Sequence, residues 1–232
     1  MGTETVAAHL LTIAPTRREL GGLDSHREGQ RASVVGMGRA AGGRLTALLE
    51  EAPCRLMVSL GYSGALDPNL RTGDLVVSTA YLHGAEPPIS GGPLATRAAV
   101  LLRESGLSVQ EGPVLTVDEP LLSPRAKRRA RHGSGALVVD MEGRWIAEAA
   151  AVKGVPLIGI RAVLDEARFP LPAFVADIVA DSERREWAHA VRAMCNPSAF
   201  GSFLPLALKS RGASRALQMA MKNIIAVFPD QL

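Results

Sequence analysis

Aromatic side chains are scarce, with two Trp, two Tyr and five Phe among 232 residues. A surface that stacks many nucleic-acid bases needs more of them, so that class of partner is not expected. Cysteine is nearly absent: Cys54 and Cys195 lie far apart and neither sits in a His cluster. No zinc spacing results, and reduced thiols in a cytoplasmic protein are the expected state. Nowhere does an apolar run reach the roughly 18 residues of a membrane-crossing helix. The opening stretch, "MGTETVAAHLLTIAPTRREL", lacks a basic leader and a small-residue cleavage site, and reads as a first strand rather than a signal peptide. A strong charge of one sign is missing too: the net charge is +3. So mild an excess suits an anionic substrate, yet it is ordinary for an enzyme. Repeats and low-complexity linkers are absent as well.

What the chain does have is apolar material, 47% of its residues, enough for a sizeable core in one large α/β domain. Short apolar runs alternate with Ala/Leu/Arg-rich segments. Strands are expected at Val6–Ala14, Ala32–Gly36, Arg55–Leu60, Gly73–Ala80, Gly112–Val117, Leu137–Val139 and Pro156–Val163. Helices are expected at Gly38–Ala52, Leu94–Ser105, Pro124–His132, Glu142–Lys153, Ala173–Met194 and much of Phe203–Val227. Continuous apolar strands between helices predict a three-layer α/β/α sandwich around a central, mostly parallel mixed sheet. The whole of 1–232 then forms a single domain, with 198–232 a helical C-terminal extension. Ligands of such sheets bind beyond the carboxyl ends of strands.

Four stretches place chemistry at those ends. In "SLGYSGALDPNLRTGDLVVS" a buried strand runs into Gly61, Tyr62, Ser63 and Gly64, read as a tight turn whose N–H groups reach a ligand closely. Asp140, Met141 and Glu142 follow another apolar strand. One acid there is explained by capping; the second suits vicinal sugar hydroxyls, with Met141 against the sugar's apolar face. Asp165 ends "GIRAVLDEA", where partial desolvation raises a carboxyl's pKa and fits it for general-acid work. The plainer alternative is an ion pair with Arg161 or Arg168. Finally, "TIAPTRREL" carries Arg17 and Arg18, suited to phosphate or carboxylate, and Glu19, suited to orient a water. Its plainer reading is a solvated helix start.

Taken in order, "GYSGALDPNLRTGDLVV", "VDME" and "GVPLIGIRAVLD" resemble the purine nucleoside phosphorylase and methylthioadenosine nucleosidase superfamily over roughly residues 6–180. The C-terminal "SAFGSFLPLALKSRGASRALQMAMKNI" is similar to its hopanoid-associated branch, which implies adenosylhopane as substrate. The resemblance implies cleavage of the C1′–N bond of a purine, most readily adenine, nucleoside. It assigns Asp165 to purine N7, Glu142 to the ribose hydroxyls beside Met141, and Ser63 and Gly64 to the base and ribose. Glu19 matches, after a one-residue shift, the acid that activates water. It implies no metal and no cofactor beyond phosphate as a co-substrate, and a homo-oligomer. Three departures stand out. Asp140 replaces the usual Glu, Leu164 replaces a Ser that orients the acid, and Ser59-Leu60 replace a phosphate-binding Arg. Arg17, Arg18 and Arg39 are the substitutes at hand, so water and phosphate both stay open as nucleophile.

"RAKRRARH", Arg125–His132, reads as a solvated basic helix, because no aromatics interleave it for nucleic acid. The basic amphipathic segment Phe203–Phe228 suits packing on the core or a subunit, with peripheral membrane contact as the secondary reading. The rival function is a non-catalytic nucleoside-binding protein that retains the fold; Asp165 and Glu142 together argue for the enzyme.

Overall fold

The computed structural model describes residues 8–21, 29–172, 175 and 197–228. The helix expected at Ala173–Met194 therefore lies almost wholly outside the described residues, as do Cys195 and the last four positions. Eight strands form one mixed sheet. The first is β1 (Ala8–Ala14), flanked by parallel β2 (Gln30–Val34) and parallel β3 (Cys54–Ala65). On its other side β3 pairs in parallel with β8 (Leu157–Asp165). In turn, β8 meets β4 (Leu75–Leu82) antiparallel, and β4 pairs with β6 (Val109–Thr116) and with the short β5 (Ile89–Ser90). Parallel to β6 runs β7 (Val138–Asp140), which closes a ring by pairing antiparallel with the end of β3. The sheet is thus flat at the β1–β2 flank and curled into a closed barrel of β3, β8, β4, β6 and β7.

Two helical layers cover the flat part. Alternation along the strands sorts the core: Leu10, Leu56, Val58 and Leu60 face one layer, Leu11, Ile13 and Met57 the other. The first layer is α3 (Pro93–Glu104) and α6 (Pro197–Val227), which contributes Ala213, Leu217, Ala220, Met221 and Ile224, with Phe228 just after it. The apolar stripe from Ala213 to Ile224 is thereby used on the sheet. The second layer is α2 (Ala40–Glu51) and α5 (Gly143–Val152). These two approach closely at Gly42, where a Cβ would lie 2.9 Å from the Trp145 carbonyl oxygen. Strands buried on both faces explain why they read as unbroken apolar runs.

Gly61–Gly64 is not a turn, as expected from sequence, but the continuation of β3. The strand runs straight on to Ala65, with its register against β8 shifting between Ser63 and Gly64. Such an irregularity bends a strand, and here the bend lets β3 leave β1 and reach β7. The small residues are required by approach rather than by reversal. A Cβ on Gly64 would sit 3.2 Å from Asp165 Oδ2 and 3.3 Å from Val139. The chain reverses later, at Asp67–Asp74, where Asp67 Oδ1 accepts from Asn69 N–H and Asp74 Oδ2 from Arg71 N–H.

β3 and β7 overlap only through Gly64–Val139 and Ala65–Val138. Because β7 is only three residues long and pairs with the carboxyl end of β3, the two antiparallel strands end close together. The ends of β1, β6 and β8 arrive there too, and together they enclose a cavity.

Candidate active site

The cavity has a volume of about 320 Å³ and is lined from all five strand ends. Pro15, Thr16, Arg18 and Glu19 follow β1; Tyr62, Ser63 and Gly64 end β3; Val117 follows β6; Val139–Glu142 end β7; Leu164 and Asp165 end β8. Of the residues expected from sequence, Asp165, Glu19, Glu142, Met141, Asp140, Gly64, Ser63 and Arg18 all line it. Arg17 and Arg39 do not. The first points outward from α1 (Arg17–Leu20), and the second stacks over the Trp145 ring, 3.9 Å from its centroid. Neither faces the cavity.

Glu19 is not a solvated helix residue. It occupies the third position of α1 and reaches back to its N-cap, where Thr16 N–H and Oγ1–H donate to Oε2 at 3.0 and 2.6 Å. Its Oε1 accepts from Tyr62 N–H of β3 at 2.8 Å. Burial raises its pKa, and the hydrogen bonds from Thr16 and Tyr62 pull the other way. Glu142 stands at the N-cap of α5 and accepts from Gly38 N–H at 2.9 Å. Burial, with Asp140 and Glu19 adding like charge, pushes it up to about 8.

The Glu142 shift has a consequence for stability. Its folded pKa lies above the ordinary carboxyl value of 4.5, so the folded protein holds the extra proton between those values. Its contribution to stability is full below pH ~4.5 and is lost as pH rises through ~8. We expect Glu142→Gln to flatten this fall and to melt higher than wild type at pH 8.5, with little difference at pH 5. Parallel melting-temperature curves for the two proteins would refute the assignment.

Asp140 lines the cavity, but its oxygens are spent inside the protein. Oδ1 accepts from Thr116 Oγ1–H at 2.7 Å, and Oδ2 from Gly143 N–H at 3.0 Å and Arg161 Nε–H at 2.7 Å. The expected substrate contact is therefore replaced by a scaffold role: Asp140 and Thr116 hold the start of α5, where Arg144 N–H donates to Thr116 Oγ1 at 2.8 Å. Glycine at 143 is demanded by the same packing, since a Cβ there would meet Asp140 Oδ2 at 2.5 Å.

Asp165 is the last residue of β8 and is buried. Its ion-pair partner is neither Arg161 nor Arg168 but Lys127 of α4 (Pro124–Ser134), whose Nζ donates to Oδ2. Desolvation raises the Asp165 pKa, while Lys127 and Lys209 oppose it. Sequence reasoning missed Lys127 because it lies inside a run of exposed cations. Its neighbours Arg125, Arg128, Arg129 and His132 face water, whereas Lys127 is only 1% exposed. The available signal was helical spacing, since Lys127 falls on the same face as Ala130 and Arg131. Arg161, offered from sequence as a partner for Asp165, pairs instead with Asp140; a charge in the middle of the apolar strand "LIGIRAVLD" had to find an internal carboxylate. Among the described residues, no group of three His, Cys, Asp or Glu side chains is placed to hold a metal ion.

The sequence model of the phosphorylase superfamily matches residues 25–194. A 5′-methylthioadenosine/S-adenosylhomocysteine nucleosidase of Mycobacterium bovis is 28% identical over 218 residues, covering 74% of this chain and 84% of that protein. Among solved structures, the futalosine hydrolase of Helicobacter pylori superposes with a TM-score of 0.65 at 15% identity, over 92% of this chain and 97% of that one. The Campylobacter jejuni 5′-methylthioadenosine/S-adenosylhomocysteine nucleosidase gives 0.66 at 16% identity, over 93% and 100%. At such identities the structural likeness speaks for the fold, and the family rests on the sequence match, which spans most of the chain. Buried acids gathered at strand ends are what remain to be accounted for, and they are accounted for if this chain belongs, as the match shows, to the phosphorylase superfamily as one of its enzymes.

Proposed function

We propose that the protein hydrolyses the N-glycosidic bond of an adenine nucleoside that bears an apolar 5′ group. The observation that carries this reading is the set of three buried carboxylates, Glu19, Glu142 and Asp165, on the wall of one cavity. In this assignment Asp165 donates a proton to purine N7 as the C1′–N bond breaks, so adenine leaves neutral. Glu142 accepts hydrogen bonds from the ribose hydroxyls. Glu19 takes the proton of the water that attacks C1′, and negative charge close to the sugar stabilises its oxocarbenium-like transition state. The products are free adenine and a free sugar, and the two protons return through solvent.

Water is preferred over phosphate on electrostatic grounds. Glu19 on the cavity wall can accept a proton from water but offers a phosphate dianion no countercharge. Arg18, the one of the three candidate arginines at the cavity, is tied by Nη2–H to Ser210 Oγ at 2.6 Å. The rest of the wall, including Met37, Val117, Leu121, Leu171 and Val175, is apolar and suits an uncharged 5′ substituent. The names of the curated relatives favour an alkylthio group. The hopanoid-like C-terminal sequence extends the proposal to a bulkier apolar group, adenosylhopane being its extreme.

Adenine release from methylthioadenosine, 5′-deoxyadenosine and adenosine, each with and without phosphate, tests the reading. We expect release in phosphate-free buffer, fastest with methylthioadenosine. A sugar 1-phosphate product that appears only with phosphate would overturn hydrolysis, and no release from any of the three would overturn the alkylthio assignment.

A further inference from the structure

We propose that Lys127 is a positioning residue that sets both the orientation and the acid strength of Asp165, and that it does so by placing its ammonium group behind the carboxyl. The proposal rests on the proposed function for Asp165 as the acid, and it adds a residue that this reading does not require.

The geometry is that of a saturated ammonium. Lys127 is buried on the inner face of α4, whose first turn is capped by Ser123 Oγ accepting from Ala126 N–H at 3.1 Å. An ammonium has three N–H donors and no acceptor. The Lys127 Nζ places one on Asp165 Oδ2, one on the Glu166 carbonyl at 2.9 Å and one on the Phe169 carbonyl at 3.1 Å. All three acceptors lie within five residues at the end of β8. The lysine therefore pins the strand end and the segment after it as one unit. That segment is fixed at its far side as well: Leu171 N–H donates to the Leu122 carbonyl at 2.9 Å, and Leu171 lines the cavity.

Two consequences follow for the acid. Lys127 occupies Oδ2, so the carboxyl is held in one rotamer, on the side of Gly64 where no Cβ intrudes. Its charge also stabilises the carboxylate that forms as the proton leaves for N7. Burial by itself disfavours the carboxylate and makes Asp165 reluctant to release its proton. A cation behind it offsets this without water entering. The other charged groups around the pair are Lys209 on α6, Glu166 beside it, and Glu19 and Glu142 across the cavity. Lys209 is half-occupied elsewhere, donating to Thr72 Oγ1 at 2.9 Å and pairing with Glu166 at 3.4 Å, so Lys127 is the cation in direct contact with the acid.

The test compares Lys127→Met, Lys127→Gln and Lys127→Arg with wild type. Two readouts are used: the pH profile of kcat for adenine release, and the titration of the Asp165 carboxyl followed by ¹³C NMR, assigned through Asp165→Asn. Removing the charge should move the Asp165 titration upward by about one pH unit or more, the usual effect of an adjacent opposite charge. The alkaline limb of kcat should move up with it, while kcat at pH 7 falls about tenfold or more, because the acid is now weaker. Lys127→Arg should keep the wild-type limb, and Lys127→Gln, which can donate but is uncharged, should behave like Lys127→Met. Packing damage alone would lower kcat without moving either titration. An unmoved Asp165 titration in Lys127→Met and Lys127→Gln would overturn the proposal. If Lys127→Met does not fold, Lys127→Gln carries the same comparison. The NMR titration stands even if no adenosine derivative turns over, so failure of the functional reading and failure of this one are told apart.

Discussion

Asp165→Asn is expected to lower kcat by about 10²–10⁴-fold, the usual worth of a general acid. The amide is isosteric and its oxygen can still accept from Lys127 Nζ, which now donates to the carboxylate. It can offer N7 a hydrogen bond but has no proton to transfer. Binding should therefore change far less than turnover, and KM should stay within a few-fold of wild type. A difference remains: the Lys127 ammonium no longer faces a group that can become its counter-ion, which lowers stability. Thermal melting should accordingly accompany the kinetics. A variant that melts well above the assay temperature yet retains kcat within a few-fold would remove Asp165 from the mechanism.

The second large effect is structural. Arg161→Met should destabilise the fold by about 3–5 kcal/mol, the usual cost of leaving one partner of a buried pair uncompensated. Arg161 is 2% exposed, midway along β8, and its guanidinium binds Asp140 together with the Ser59 carbonyl at 3.1 Å and Ser59 Oγ at 3.2 Å. It thus ties β8 to β3 and β7 at the inner end of the cavity. At this chain length a loss of that size lowers Tm on the order of 10 °C. Adding Asp140→Leu removes the stranded charge and should recover part of the loss, as replacing whole buried pairs often does. Since Asp140 holds the first N–H of α5 beside Glu142, the double variant should still bind nucleoside poorly. Melting curves and KM separate the two effects. A single variant as stable as wild type would show that the pair contributes nothing net.

The acids were legible in the sequence because each interrupts or ends an apolar run. Asp165 closes β8, Glu142 follows β7, and both line the cavity. The layering was legible for the same reason, as unbroken apolar strands can be buried only between two helical layers. Three things were hidden. Pairing was one: nothing local in "GYSGA" distinguishes a turn from a strand whose glycines yield to a neighbouring carboxylate, and only the contact with β8 decides it. The second was the inward lysine, masked by the surface cations around it. The third was the fate of Asp140. An acid beside a site looks like a ligand until the distant Arg161 and Thr116 are seen to consume its oxygens.

The way β3 closes the ring bears on how the protein comes to fold. The pairs that build the cavity, Gly64 with Asp165 and Gly64 with Val139, join residues 101 and 75 positions apart. Segments so distant pay a large loop-closure entropy before any contact repays it. The β1–β3 flank with α2 closes shorter loops and brings Leu11, Ile13, Leu45, Leu49 and Met57 together before α5 joins that layer. A growing or refolding chain is thus expected to close the β1–β3 flank before the cavity, and catalytic power arrives only with the most distant pairings.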